Sequence, residues 1–165
     1  MDILLSTDKN YIMPTGVTMK SICVNNNNVT FHILIDQKVT ERQQQQLKNI
    51  IDTDRGQYIK FYCLDASFMD KFPSLGTVKS YITKATYYRL FISDVLPKTV
   101  SKIIYLDGDV INTQSLDELW HIDISKYALG AVTDMAEARH DYKRLGYDRS
   151  MGYFNAGVLL INLDF

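Results

Sequence analysis

The sequence lacks any long hydrophobic run. Nowhere do about eighteen apolar residues follow one another, so no membrane-spanning helix is expected. The opening "MDILLSTDKN" is a short apolar stretch broken by Asp2 and Asp8. It has neither the basic start nor the apolar length of a signal peptide. A cytoplasmic protein is expected, with peripheral contact at the inner face of a membrane left open. Charge of one sign is also lacking: 18 Lys and Arg face 19 Asp and Glu, for a formal net charge of −1. With no long basic patch, nothing points to a nucleic-acid partner or to an anionic lipid surface. Cysteine is scarce. Cys23 and Cys63 sit among apolar neighbours at no metal or redox spacing, so two buried free thiols are expected rather than a disulfide. Two phosphate-binding signatures are missing as well. There is no G-x-x-x-x-G-K-S/T loop and no G-x-G-x-x-G, which excludes a P-loop and a dinucleotide fingerprint.

What is present suffices for a core. Hydrophobic residues make up 46% and charged residues 22%, and 165 residues suit one domain over 1–165. Apolar runs of strand length occur at "DILLST", "VTFHILID", "YIKFYCLD", "KIIYLD", "YALGAVTD" and "YFNAGVLLINLD". Between them, "PTGVTMKSICVNN" has helical length with Pro14 in its first turn. "TERQQQQLKNIID" begins on a Thr cap and presents its glutamines as a solvated face. "TKATYYRLFISDVLP" reads as a helix stopped near Pro97. Strands alternating with helices predict an α/β fold with a mainly parallel sheet. Ligands of such sheets lie beyond the carboxyl ends of the strands. That places Asp8, Asp36, Asp65, Asp107 and Asp134 at the expected end. His32 is expected as a core histidine with local hydrogen bonds, and His121 and His140 as surface residues.

The sharpest feature is "IIYLDGDVI" at residues 103 to 111. It puts Asp107 and Asp109 at the mouth of a buried strand, with Gly108 between them. Two unpaired carboxylates repel, and one would have to take up a proton. A divalent ion resolves the conflict, and hard oxygen donors suit magnesium, calcium or manganese. Gly108 permits an unusual backbone angle and a close approach by a ligand. The rival reading, in which both aspartates cap turns and face water, stays open on these residues alone. A calcium-binding EF-hand is excluded. Asp107, Asp109 and Glu118 match its first, third and twelfth positions, but Ile111 and Asn112 stand where a ligand and a glycine are needed. A metal held by two side chains keeps open positions for water and phosphate oxygens.

Four segments in order, "MDILLSTDKNY", "ATYYRLFISDVLPKTVSKIIYLDGDVI", "SLDELW" and "YFNAGVLLINL", resemble family 8 of the retaining glycosyltransferases. Its members include bacterial lipopolysaccharide galactosyl- and glucosyltransferases and, more distantly, glycogenin. The resemblance implies a Rossmann-like nucleotide-diphospho-sugar transferase (GT-A) fold. It also implies a UDP-hexose donor and a manganese ion, with magnesium as the alternative. The acceptor would be a hydroxyl of a glycan, a lipopolysaccharide or another cell-surface polymer.

By the same similarity Asp107 and Asp109 are the metal ligands. Asp8, Asn10 and Tyr11 hold the uridine, with Tyr11 stacked on the ring, and Gly108 lies beside the ribose. Arg89 reaches the diphosphate and donor sugar. Asp134 and Asn155, with Ala156 and Gly157, line the sugar and acceptor side, so Arg89, Asp134 and Asn155 are the catalytic candidates. Tyr11 as loop packing, Arg89 as a surface ion pair, Asp134 as a cap of "MAEARH" and Asn155 as a turn residue are the plainer readings. In the family a histidine beyond residue 165 completes the metal site, and "INLDF" is an abrupt ending. The chain is therefore expected to be the N-terminal part of a longer domain. Its last strands would lie exposed at an edge, which leaves a homo-oligomer open. A non-catalytic UDP- and metal-binding domain is the alternative to an enzyme. A nucleotidyltransferase is disfavoured, because "LLSTDKNYIMPTG" has no glycine-rich basic motif.

Overall fold

The computed structural model describes residues 1–65, 84–135, 146, 148, 150 and 152–165. Its strands are β1 (Asp2–Ser6), β2 (Thr30–Asp36), β3 (Tyr58–Leu64), β4 (Lys102–Leu106), β5 (Leu129–Thr133) and β6 (Phe154–Asn162). They form one six-stranded sheet in the order β3-β2-β1-β4-β6-β5. The first four strands of that order run parallel. β6 enters antiparallel between β4 and β5, with an irregularity at Ala131 and Val132. The expected α/β sheet is present, and its antiparallel part is what the apolar runs did not disclose. Because β6 opposes both neighbours, β5 points the same way as β4. The carboxyl ends of β1 to β5 and the start of β6 therefore share one end of the sheet.

Alternation along each strand divides the core between two faces. Ile3, Leu5, Phe31, Ile33, Ile104 and Leu106 pack on one face against Met19 and Ile22 of α1 (Ile12–Asn25). Leu4, Leu34, Leu64, Ile103 and Tyr105 pack on the other, against Tyr88, Phe91, Ile92 and Leu96. β1, β2 and β4, the central parallel strands, are covered on both faces, which explains why they read as continuous apolar runs. α2 (Glu41–Lys48) starts on a capping box. The Thr40 hydroxyl accepts from the Gln43 amide while the Gln43 side chain accepts from the Thr40 amide.

One helix differs from expectation. "TKATYYRLFISDVLP" does not form a single α-helix: Lys84–Phe91 is a 3-10 helix, followed by the single turn α3 (Ile92–Val95). Its core-facing residues explain the tighter winding. Ala85, Tyr88 and Phe91 all meet the core and are spaced by three, the period of a 3-10 helix rather than of an α-helix. Leu96, extended before Pro97, ends the element as a pre-proline residue does. A further single turn, α4 (Asp117–Trp120), follows β4. Residues 136–140 of the helix read at "MAEARH", His140 among them, lie outside the described residues.

The thiols also correct the sequence reading. Both are free, but only Cys23 is buried; Cys63 is exposed. Cys63 lies on β3, which among the described residues is an edge strand paired only with β2. His32 is the core histidine expected, wholly buried between Asp2 Oδ1 at 2.8 Å and the Tyr62 hydroxyl at 2.9 Å. Among the described residues no helix is long and apolar enough to cross a membrane.

A buried amide joins the end of α1 to the start of β3. Gln57 is fully buried and donates to the carbonyls of Cys23 and Asn26, both at 2.9 Å. Its oxygen accepts from the Asp52 amide at 3.0 Å. Replacing Gln57 by Leu removes all three partners at once. The variant should lose about 3 kcal/mol in urea unfolding. Burial also pushes the Cys23 thiol up to about 11. At pH 8 about one Cys23 in a thousand would be thiolate. A disulfide reagent at pH 8 should therefore label Cys63 alone in the folded chain, and both thiols after denaturation.

Candidate functional site

The shared end of the sheet carries a cleft of about 320 Å³. Its lining includes Ser6, Tyr11, Thr86, Arg89, Tyr105 and the run Asp107 to Asp109. β4 delivers Asp107 to the rim. The backbone amide of Asp107 donates to the Gly157 carbonyl at 2.8 Å, so the pairing of β4 with β6 continues one step past the strand. The Asp107 side chain is then fixed through one oxygen. Arg89 Nη2 and the Tyr105 hydroxyl both donate to Oδ1, each at 2.7 Å.

Arg89 is itself held in place. Its Nε donates to the Thr86 carbonyl at 3.0 Å and its Nη1 to the Ala156 carbonyl. Its guanidinium lies 4.5 Å from the centre of the Tyr105 ring, within cation–π range. The plainer reading, a surface ion pair, fails: the Arg89 side chain is only 15% exposed and its partner is Asp107.

Asp109 is engaged from the other side. The Tyr11 hydroxyl donates to Asp109 Oδ2 at 2.7 Å. That hydrogen bond, then burial and the charges of Asp109, Asp107 and Asp8, raise the Tyr11 phenol above its ordinary value. Burial first, and then Asp107, push the Tyr105 phenol far above its own ordinary value, while Arg89 opposes the shift. Both phenols thus stay protonated donors at neutral pH. Asp8 shapes the loop into α1: its Oδ1 accepts from the amides of Asn10 at 2.8 Å and Tyr11 at 3.1 Å.

Two glycines let these parts approach. A Cβ on Gly108 would stand 2.8 Å from Thr15 Oγ1 and 3.4 Å from Tyr11 Cδ1. Gly108 is not among the residues with positive φ, so space and not an unusual backbone angle is what the position demands. A Cβ on Gly157 would stand 2.9 Å from Asp107 Oδ2 and 3.0 Å from Asn155 Oδ1. Asn155 lies in β6 opposite Val132 and not in the turn of its plainer reading, and its side chain accepts from the Gly157 amide at 2.8 Å.

The sequence-predicted residues therefore separate into two groups. Tyr11, Arg89, Asp107, Gly108 and Asp109 meet in the cleft. Asp8, Asn10, Asn155, Ala156 and Gly157 adjoin it through the backbone contacts above and do not line it. Asp134 follows β5 at the same end, with its amide donating to the Tyr153 carbonyl at 2.8 Å, and does not line the cleft either. Asp36 stands apart on β2, where it accepts from the Lys38 amide at 2.9 Å and from the Tyr88 hydroxyl. Tyr105 was missed by the sequence reading. Its signal was the strand period, since positions 105 and 107 face the same way.

The donor set suits a hard divalent cation. Among the described residues, Asp107 Oδ2 and Asp109 Oδ1 receive no hydrogen bond, which leaves one free carboxylate oxygen on each. No group of three or more His, Cys, Asp or Glu placed to hold a metal occurs among the described residues.

Comparison with known proteins adds identity to this geometry. The model of glycosyl transferase family 8 matches residues 2–165. A putative glycosyltransferase of Haemophilus influenzae is 36% identical over 99% of this chain and 49% of its own length. The lipopolysaccharide 1,3-galactosyltransferase of Salmonella typhimurium is 28% identical over 98% of this chain and 48% of its own length. Among solved structures, the galactosyltransferase LgtC in complex with donor and acceptor sugar analogues superposes with a TM-score of 0.88. It is 30% identical over 99% of this chain and 58% of that one. The chain spans about half the length of the curated relatives it matches. It belongs to glycosyl transferase family 8, and its sheet is that of a GT-A glycosyltransferase.

The tight glycine gives a direct check on the site. Gly157→Ala should destabilise the chain by about 1–3 kcal/mol in urea unfolding, because the new methyl must displace Asp107. Gly130→Ala, whose Cβ would meet only Ile124 Cγ2 at 3.8 Å, should show no such loss.

Proposed function

We propose that this member of glycosyl transferase family 8 moves a hexose, glucose or galactose, from a UDP-sugar to an acceptor hydroxyl with retention of anomeric configuration. The acceptor would be a glycan, a lipopolysaccharide or another cell-surface polymer, and the enzyme would work in the cytoplasm or at the inner face of a membrane. The observation that carries this reading is the cleft at the end of β4. There two aspartates, an arginine and a tyrosine converge, each aspartate with an oxygen to spare. The relatives named above are glycosyltransferases, one of them acting on lipopolysaccharide, which supports the substrate class.

In this reading Asp107 and Asp109 would hold manganese, or magnesium, whose charge would offset that developing on the departing UDP. Arg89 supplies a fixed cation at the same place. Being already held by two backbone carbonyls, it needs little reorganisation to stabilise the diphosphate. Tyr11, with its ring partly exposed and its hydroxyl held by Asp109, would stack on the uracil, with Asp8 and Asn10 completing the uridine site. Gly108 would leave room for the ribose. Asp134, Asn155, Ala156 and Gly157 would border the sugar and acceptor. No side chain is assigned as nucleophile; the leaving UDP would accept the acceptor's proton.

UDP release from UDP-glucose and UDP-galactose, with manganese and with a chelator, tests this function. Release should require the metal. It should fall by about a hundredfold or more in Arg89→Met, the scale of losing one preorganised charge-stabilising group. Manganese-dependent UDP binding without turnover would favour the non-catalytic alternative. Release unaffected by the chelator would contradict the metal assignment.

A further inference from the structure

The loop that carries Asp8, Asn10 and Tyr11 is not held by burial alone: Lys9, Asn10 and Tyr11 are all exposed. It depends on hydrogen bonds. Those to Asp8 Oδ1 are internal to the loop. Another comes from a neighbouring element. Gln43 of α2 donates from Nε2 to the Lys9 carbonyl at 2.7 Å.

The Gln43 amide is used at both ends. Its Oε1 accepts from the Thr40 amide at 3.0 Å and from the Thr40 hydroxyl at 3.1 Å, which is its part in the capping box. A glutamate would serve that box equally well, since only an acceptor is needed there. The Lys9 carbonyl can only accept, so it requires the N–H that glutamine has and an ionised glutamate lacks. An amide at position 43 is thus explained by the loop and not by the helix cap. The helix behind it is a firm support. Leu47 is buried in the core, and with Ile50 it lies against Gly16 of α1. A Cβ there would stand 3.2 Å from Ile50 Cδ1 and 3.6 Å from Leu47 Cδ2.

We propose that Gln43 is a positioning residue, which braces loop 8–11 from α2 so that Asn10 and Tyr11 are set for the nucleoside before it arrives. The inference rests on the donor-site reading above. Gln43→Glu tests it, because the capping box is kept and the donor to Lys9 is lost. Gln46→Glu places the same charge one turn further along the same α1–α2 groove and is the control. Urea unfolding and calorimetric titration of UDP in manganese, both on the full chain, give the readouts. Gln43→Glu should unfold at the parent's urea midpoint and bind UDP about fivefold more weakly, the scale of one neutral hydrogen bond. Gln46→Glu should match the parent in both. Three results overturn the positioning role: unchanged UDP affinity in Gln43→Glu, a fall of the same size in Gln46→Glu, or a lowered urea midpoint alongside the weaker binding. A parent chain that binds no UDP overturns the donor-site reading itself, and the inference with it.

Discussion

Everything at the sheet end depends on how one carboxylate is held. Asp107 ends an apolar strand, where an uncompensated charge would be costly. The fold answers with Arg89 and Tyr105 on one oxygen and the backbone of Gly157 on its amide. Three distant stretches of chain are joined at that point: the 3-10 helix, β4 and the start of β6. An ion pair so placed is a weak source of net stability, since desolvation offsets most of the attraction. Its consequence is geometric. The site is set before any ligand arrives, and positioning done in advance lowers the cost of binding and of charge stabilisation.

The sheet makes that arrangement available. Four parallel strands bring several carboxylates to one end, but only those beside α1 and β4 converge. The antiparallel β6 then lays Asn155, Ala156 and Gly157 alongside Asp107, which a wholly parallel sheet could not do with the beginning of a strand. Gly108 and Gly157 permit the close approach, one against Thr15 and the other against Asp107 itself. The 3-10 winding of residues 84–91 has a similar purpose. A repeat of three keeps Ala85, Tyr88 and Phe91 in the core while Arg89 turns into the cleft.

Much of this was legible in the sequence, and the exceptions have physical causes. The central strands announced themselves as apolar runs because β1, β2 and β4 are covered on both faces, and "IIYLDGDVI" marked the site because charge at a buried strand end demands a reason. Strand direction was not legible, since an apolar run such as β6 has the same composition whether it pairs parallel or antiparallel. Nor was the 3-10 helix, whose spacing of three is hard to tell from 3.6 over eight residues. Cys63 looked buried from its neighbours, but an edge strand is covered unevenly. Tyr105 was hidden by its own surroundings. A tyrosine in an apolar run reads as packing until its hydroxyl is seen to reach Asp107. Gln57 was missed for the same reason, because an isolated glutamine before a strand gives no sign that it will be buried with three partners.

The claim at the centre is that Asp107 and Asp109 carry a nucleoside diphosphate through a divalent ion. Titrating UDP into the protein by calorimetry, with manganese and then with a chelator, beside Asp107→Asn, tests it most directly. Binding that requires manganese and disappears in the variant is the predicted result. Equal binding with and without the chelator, or an Asp107→Asn variant that binds like the parent, would contradict it.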